Sequence, residues 1–184
     1  MLPDFQNNKS LFTAFIQQHQ PLVYNTALGI LQNKEDAEET AQDVFVEVYH
    51  QYKSFKGDSS ISTWLYRITT NKCIDLLRKR KSKKRFAYIT NLFTPETNEP
   101  VADIALFSHP GIIAENKEKA VYLMKAIEQL PANQKTAFIL CEMEMLSYKE
   151  IAEIMQLSLS SVEALLFRAR QNLRKTLEQF YKKL

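Results

Sequence analysis

The sequence predicts an all-α protein made of two small helical domains joined by a linker, the second domain holding a helix-turn-helix. Three observations predict it. Apolar residues recur at three- and four-residue spacing over most of the chain. Glycine occurs only 3 times in 184 residues, which leaves little material for tight hairpins. Two Ser-x-x-Glu sequences, Ser147–Glu150 and Ser160–Glu163, carry the signature of helix starts and stand close enough to bracket a short turn.

The same composition excludes several kinds of chemistry. Gly29, Gly57 and Gly111 are isolated from one another, so no glycine-rich phosphate loop can be written. Cys73 and Cys141 form no metal-ligand or redox motif, and His19, His50 and His109 are scattered. An enzyme is therefore not expected, and no cofactor or metal is implied. With 45% hydrophobic and 24% charged residues the chain reads as globular, and no apolar run is long enough for a membrane span. Its first residues, MLPDFQNNKSL, lack the basic–apolar–small order of a secretory signal, so a reduced cytoplasmic setting is expected.

Charge divides the chain. Residues 1–85 carry 13 basic and 9 acidic side chains, residues 86–116 none and 4, and residues 117–184 carry 11 and 8. Two weakly basic domains, 1–85 and 117–184, are thus expected on either side of an acidic linker, 86–116, which contains three prolines and shows no helical period. Within the first domain six acids and one lysine lie between Lys34 and Glu47, whereas seven of the eight residues from Arg78 to Arg85 are basic. Either run could be a solvated face. Basic density of that order on a helix end repels itself, and a polyanionic partner would relieve it.

Element by element, Leu11, Phe12, Phe15 and Ile16 form one apolar stripe. Pro21 is expected to restart the chain before a second stripe of Leu22, Val23, Ala27, Ile30 and Leu31. Asp36 heads an acidic first turn, which suits a helix N-terminus. That helix buries Ala37, Ala41, Val44, Phe45 and Val48 and offers Glu38, Gln42, Asp43 and Glu47 outward. A loop over Phe55–Ser60 follows, with Ser60 or Ser62 as cap for a helix from about Ile61 to Arg80. Ile61, Trp64, Leu65, Ile68 and Leu76 make its apolar stripe, and Thr63, Arg67 and Asn71 share the opposite face. That polar row could bond bases and phosphates or simply face water, and Trp64 could pack or stack on a base.

In the second domain Leu130-Pro131 opens a helix with Ala137, Phe138, Leu140 and Cys141 inward. Ser147 opens the short helix IAEIM, and Ser160 opens a long one reaching about Phe180. Ala152 is small where the helices approach, and Ile151, Met155, Leu157, Val162 and Leu166 supply the shared core. Gln156 stands where the turn usually has glycine. Ser160, Glu163, Ala164, Phe167 and Arg168 face away from that core, as in a recognition helix, with Arg170, Arg174 and Lys175 following as phosphate contacts.

These residues carry a family likeness. DAEETAQDVFVEVY and FKGDSSISTWLYRITTNKCIDLLRKR resemble the second conserved region of bacterial sigma factors of the extracytoplasmic-function class, and LPANQKTAFILCEMEMLSYKEIAEIMQLSLSSVEALLFRARQNLRK resembles their fourth. The resemblance implies a non-enzymatic subunit that binds core RNA polymerase at its clamp helices and flap, recognises promoter DNA and is held by an anti-sigma factor. It assigns polymerase binding to Glu38, Gln42, Asp43 and Phe45. Minus-ten recognition falls to Phe55, Lys56, Gly57, Asp58, Ser59, Ser60, Thr63, Arg67, Asn71, Arg78, Lys79 and Arg80. Minus-thirty-five recognition falls to Ser160, Ser161, Glu163, Ala164, Phe167, Arg168 and Arg170. Here the chain departs from the family, whose pattern runs Gly-Thr-Val-Lys/Arg-Ser-Arg where this one has Ser160-Ser161-Val162-Glu163-Ala164-Leu165. Glu163 is either the closing residue of a capping box or an acceptor from a cytosine amino group. A stand-alone helix-turn-helix regulator and a protein-binding helical adaptor are the competing readings. The first would need a ligand pocket or dimer interface outside the helix-turn-helix, and the second leaves both basic runs unexplained.

Overall fold

A computed structural model describes residue 5, residues 8–91 and residues 117–181. Among the described residues the architecture is all-α. The helices are α1 (Lys9–Leu31), α2 (Lys34–Gln51), α3 (Ile61–Asn91), α4 (Lys117–Glu128), α5 (Ala132–Glu142), α6 (Tyr148–Met155) and α7 (Leu159–Tyr181), with a short 3-10 turn at Tyr52–Ser54.

Local chemistry sets most boundaries. Asn8 accepts from Leu11 N–H (3.3 Å) at the start of α1, and Gln32 ends it in the left-handed region at φ 53°. Asn33 caps α2 by accepting from Asp36 N–H (2.9 Å), and Glu35 and Asp36 stand in its first turn. Ser60 caps α3, accepting from Thr63 N–H at 3.0 Å. That helix runs on to Asn91, past the expected end near Arg80 and into the first residues assigned to the linker. Residues 92–116, the rest of that segment, lie outside the described residues.

Pro21 does not restart the chain: α1 continues through it. An interior proline costs about 3 kcal/mol by removing a backbone hydrogen bond and crowding the preceding turn. Its ring is exposed, and the helix on either side buries Phe15, Val23, Ala27, Ile30 and Leu31, which outweighs that loss.

The first three helices close around Phe5, Phe15, Val23, Val44, Phe45, Val48, Tyr52, Leu65 and Ile68. Phe5 is fully buried, its ring 5.0–5.2 Å from those of Phe12, Phe15 and Tyr52. The helix-turn-helix core of Ala137, Leu140, Ile151, Ile154, Val162 and Leu166 also takes in Tyr66 of α3. Leu157, expected inside, is 37% exposed because the turn carries it outward, and Ile154 takes the inner position. A third cluster crosses between the blocks, joining Ala27, Ile30, Leu31 and Cys73 to Ile127, Leu130, Ile139, Ala169 and Leu173. The second face of α3 is consequently covered. Thr69, Thr70 and Cys73 are fully buried, and Tyr66 and Ile74 nearly so.

Candidate polymerase and nucleic-acid surfaces

On α2 the residues Glu38, Glu39, Gln42 and Asp43 are exposed, and Val46 joins them at 57% exposure. Lys34 pairs with Glu38 at 3.8 Å in an exposed contact of little energetic weight, leaving the face strongly acidic. Phe45 is 6% exposed and packs in the first core, so it supports this face from beneath and offers no surface of its own. Two contacts hold the helix on α3: Lys72 with Glu47 at 2.8 Å, and Arg80 with Asp36. Helical spacing places Val46 one turn beyond Gln42, but an exposed valine leaves no sequence signal distinguishing it from core.

In the loop, Lys56, Gly57, Asp58 and Ser60 are exposed, and Gly57 takes φ +82°, a conformation that favours glycine. Phe55 and Trp64 are half-buried with rings 5.1 Å apart, so Trp64 packs the loop against the first core. Thr63 shares a hydrogen bond with Ser60 through their hydroxyls (2.8 Å). Thr63, Arg67 and Asn71 do line one face of α3, yet that face is not open water. Arg67 donates to the carbonyl of Glu153 on α6 (3.1 Å) and lies 3.8 Å from its carboxylate. Its Nε is buried without an acceptor. Asn71 is exposed at the wall of a cleft of about 310 Å3 that also touches Arg78, Asn133 and Met155.

A larger cleft, about 1070 Å3, separates the basic end of α3 from the start of α5. Arg78, Arg80, Lys81, Lys135 and Arg168 contribute to its lining. Lys135 is buried, and that burial holds its ammonium below the ordinary lysine pKa while Glu128 pulls the other way.

The helix-turn-helix is locally well specified. Ser147 Oγ accepts from Glu150 N–H (3.3 Å) while Glu150 accepts from Ser147 N–H (2.8 Å), the expected capping box. The Ser147 hydroxyl also donates to the Glu150 carboxylate (2.7 Å), and this bond, with that from Ser147 N–H, holds the carboxyl below its ordinary pKa. Gln156 takes φ 54° and ends α6, with Leu157 N–H reaching back to the Ala152 carbonyl (3.0 Å). The second expected box does not form. Ser158 is the cap of α7, its Oγ accepting from Ser161 N–H (3.2 Å) and its carbonyl from Val162 N–H (3.1 Å). Two residues' difference decides it: with the helix beginning at Leu159, Glu163 lies too far along to reach back to a cap.

Ser160, Glu163, Ala164, Phe167 and Arg168 are exposed on one side of α7, Phe167 by 61%, while Ser161 is half-buried in the first turn. Arg168 folds its Nε–H onto the carbonyl of Ala164 (3.0 Å). Arg170 is engaged within the protein, donating to Glu142 (2.8 Å) and Tyr148 Oη (3.2 Å). It thereby ties α7 to α5 and α6. Among the described residues no group of three or more His, Cys, Asp or Glu could hold a metal, and no helix is long and apolar enough to cross a membrane.

The chain carries both conserved regions of a transcription-initiation family. The family model for Sigma-70 region 2 matches residues 15–83 and that for Sigma-70, region 4 matches residues 120–173. The ECF RNA polymerase sigma-E factor of Escherichia coli is 31% identical over 136 residues, covering 74% of this chain and 71% of that protein. RNA polymerase sigma-H factor of Pseudomonas aeruginosa is 28% identical, covering 94% and 89%, and the ECF sigma factor SigW of Bacillus subtilis is 29% identical, covering 94% and 91%. Among solved structures, the sigma factor RpoE in complex with the anti-sigma factor NepR from Bartonella quintana superposes with a TM-score of 0.67 at 23% identity, covering 91% of this chain and 96% of that one. CnrH in complex with the cytosolic domain of CnrY gives 0.64 at 20%, covering 96% and 93%. The chain belongs to the ECF class of the sigma-70 family.

Proposed function

We propose that this chain binds core RNA polymerase through the acidic face of α2 and directs it to promoters by reading DNA with α3 and α7. The observation that carries the reading is the presence of both sigma regions on one chain, residues 15–83 and 120–173, each with a solvent-facing surface of the required chemistry. Glu38, Gln42 and Asp43, with Val46 among them, form the polymerase surface. The loop Phe55–Ser60, with Thr63, Arg67 and Asn71, receives an unstacked minus-ten strand, and Arg78, Lys79 and Arg80 meet its phosphates. The exposed side of α7 enters the major groove of the minus-thirty-five duplex. The protein supplies recognition and leaves chemistry to the polymerase, which places it in the cytoplasm. A stand-alone regulator would have no use for region 2, which speaks for the sigma reading.

In the arrangement described, α6 occupies the face of α3 that a strand would approach, so Arg67 must leave Glu153 before it can serve DNA. An anti-sigma protein holding both blocks would keep it there. Such a partner, the anti-sigma factor NepR, accompanies the sigma factor RpoE of Bartonella quintana.

The test is run-off transcription by bacterial core polymerase, with and without this protein, on DNA from its own upstream region, alongside gel filtration with core. Protein-dependent initiation at a discrete start supports the reading. A folded protein that neither initiates nor co-elutes with core overturns it in favour of the stand-alone regulator.

A further inference from the structure

We propose that Glu163 is a base-reading residue that selects a cytosine in the upstream promoter element. The inference rests on the sigma reading and deepens it at one position. Three observations lead to it.

First, the helix has no use for this carboxylate. Ser158 caps α7, so the position that would close a capping box is Ser161, and Glu163 stands two residues further on, beyond the first turn where a carboxylate gains from the helix dipole. Glu150 in α6 shows what a capping glutamate does, bonding back to the backbone of its serine at 2.8 Å. Glu163 makes no such bond.

Second, it has no cation among the described residues. Residues one turn away along α7 are Leu159, Ser160, Leu166 and Phe167, none of them basic. Arg170, two turns away on the same side, is already bonded to Glu142 and Tyr148, and Arg168 is folded onto Ala164.

Third, its neighbours make a groove-reading face. Glu163, Ala164, Phe167 and Arg168 are exposed together. A carboxylate brought into a groove walled by phosphates is repelled unless it accepts a hydrogen bond from a base. The cytosine 4-amino group is the donor that suits it. Adenine also offers an amino group, but its neighbouring N7 is an acceptor that opposes the second carboxylate oxygen. Phe167 lies one turn on, about 6 Å along the axis, where its ring can cover the methyl of a thymine one or two steps from the cytosine.

The experiment uses holoenzyme assembled from core polymerase and the full chain, with a promoter library randomised across the upstream element and the selected DNA sequenced. Wild type should enrich cytosine at one position. Glu163→Gln should move the preference there toward adenine, because a glutamine amide pairs with adenine N6 and N7. Glu163→Ala should lose the cytosine preference by on the order of tenfold or more, other positions being unchanged. Identical base preferences in all three proteins would overturn the inference and leave the sigma reading standing. So would a Glu163→Ala that tightens binding to every sequence alike, which would make the carboxylate a mere repellent. Wild-type holoenzyme that selects no upstream element would sink both. Thermal midpoints of the three proteins show that each is folded, and Glu163→Gln, equal in size to the native side chain, keeps the comparison interpretable if the alanine variant is not.

Discussion

Ser147 and Ser158 hold the first turns of α6 and α7 in different ways, and their removal should be measurable separately. Ser147 exchanges bonds with Glu150, whereas the Ser158 hydroxyl accepts from Ser161 N–H with no carboxylate to answer it. Ser147→Ala and Ser158→Ala should each cost about 1 kcal/mol in urea denaturation. Ser160→Ala should stay within about 0.5 kcal/mol, since its exposed hydroxyl meets only that of Ser158. If Ser160→Ala cost more than Ser158→Ala, the helix would begin where the sequence alone suggests. The Ser147 bonds favour ionised Glu150, so their contribution is present above its ordinary pKa and fades as pH falls through the depressed folded value. Roles in transcription separate at this scale too. Asn71→Ala should impair promoter opening on the order of tenfold or more while co-elution with core persists, because the role proposed for Asn71 is a contact to the opened strand alone. Gln42→Ala with Asp43→Ala should weaken core binding instead, and run-off transcription beside gel filtration distinguishes the two. Equal loss of both readouts in all variants would defeat these assignments.

At the level of helices, α1 holds a reserve of stability at Pro21. The ring is exposed and the helix continues through it, so Pro21→Ala should restore a backbone bond, raise the denaturation midpoint and add up to about 3 kcal/mol to the unfolding free energy. A lower midpoint would mean that the proline bends α1 into a contact the fold requires. The same helix shows where sequence reasoning stops. Helix starts are legible wherever a side chain acts on its own neighbours, as at Ser60 and Ser147. Pro21 is misleading because its local penalty is visible while the remote burial that outweighs it is not. α3 gives the sharper case. Leu65 and Ile68 announce one buried stripe, but Thr69 beside it and Thr70 on another face read as polar and are fully buried. Each satisfies its hydroxyl within its own helix, Thr69 to the Leu65 carbonyl (2.8 Å) and Thr70 to that of Arg67 (3.2 Å), so neither needs water. Composition cannot disclose that kind of burial. For the same reason Thr63, Arg67 and Asn71 are legible as one face, but the helix lying across it is not.

Over the whole molecule, that covering helix would decide when the face of α3 proposed to read DNA is available. The blocks are joined by the shared apolar cluster and by Glu144, which accepts from Tyr66 Oη on α3 (2.8 Å) and from Thr26 on α1 (3.2 Å). Arg67 is the weak point of this junction, since its Nε is buried without an acceptor and a charged group so placed favours release. Gly29 is the tight point. A Cβ there would stand 2.9 Å from Ile139 Cγ2, and a β-branched, fully buried neighbour has little freedom to withdraw. Leucine is a good helix former, and Gly29 belongs to the packing of neither separate core, so Gly29→Leu should part the blocks while leaving each folded. A compact chain of 184 residues has a radius of gyration of about 16 Å. Small-angle scattering should find the variant clearly above the wild-type value, with helical circular dichroism retained. Its affinity for a single-stranded minus-ten oligonucleotide should rise as Arg67 is released from Glu153. An unchanged radius would mean that Ile139 yields and the junction is forgiving. An increased radius with no gain in strand binding would mean that α6 is not what withholds this face from DNA.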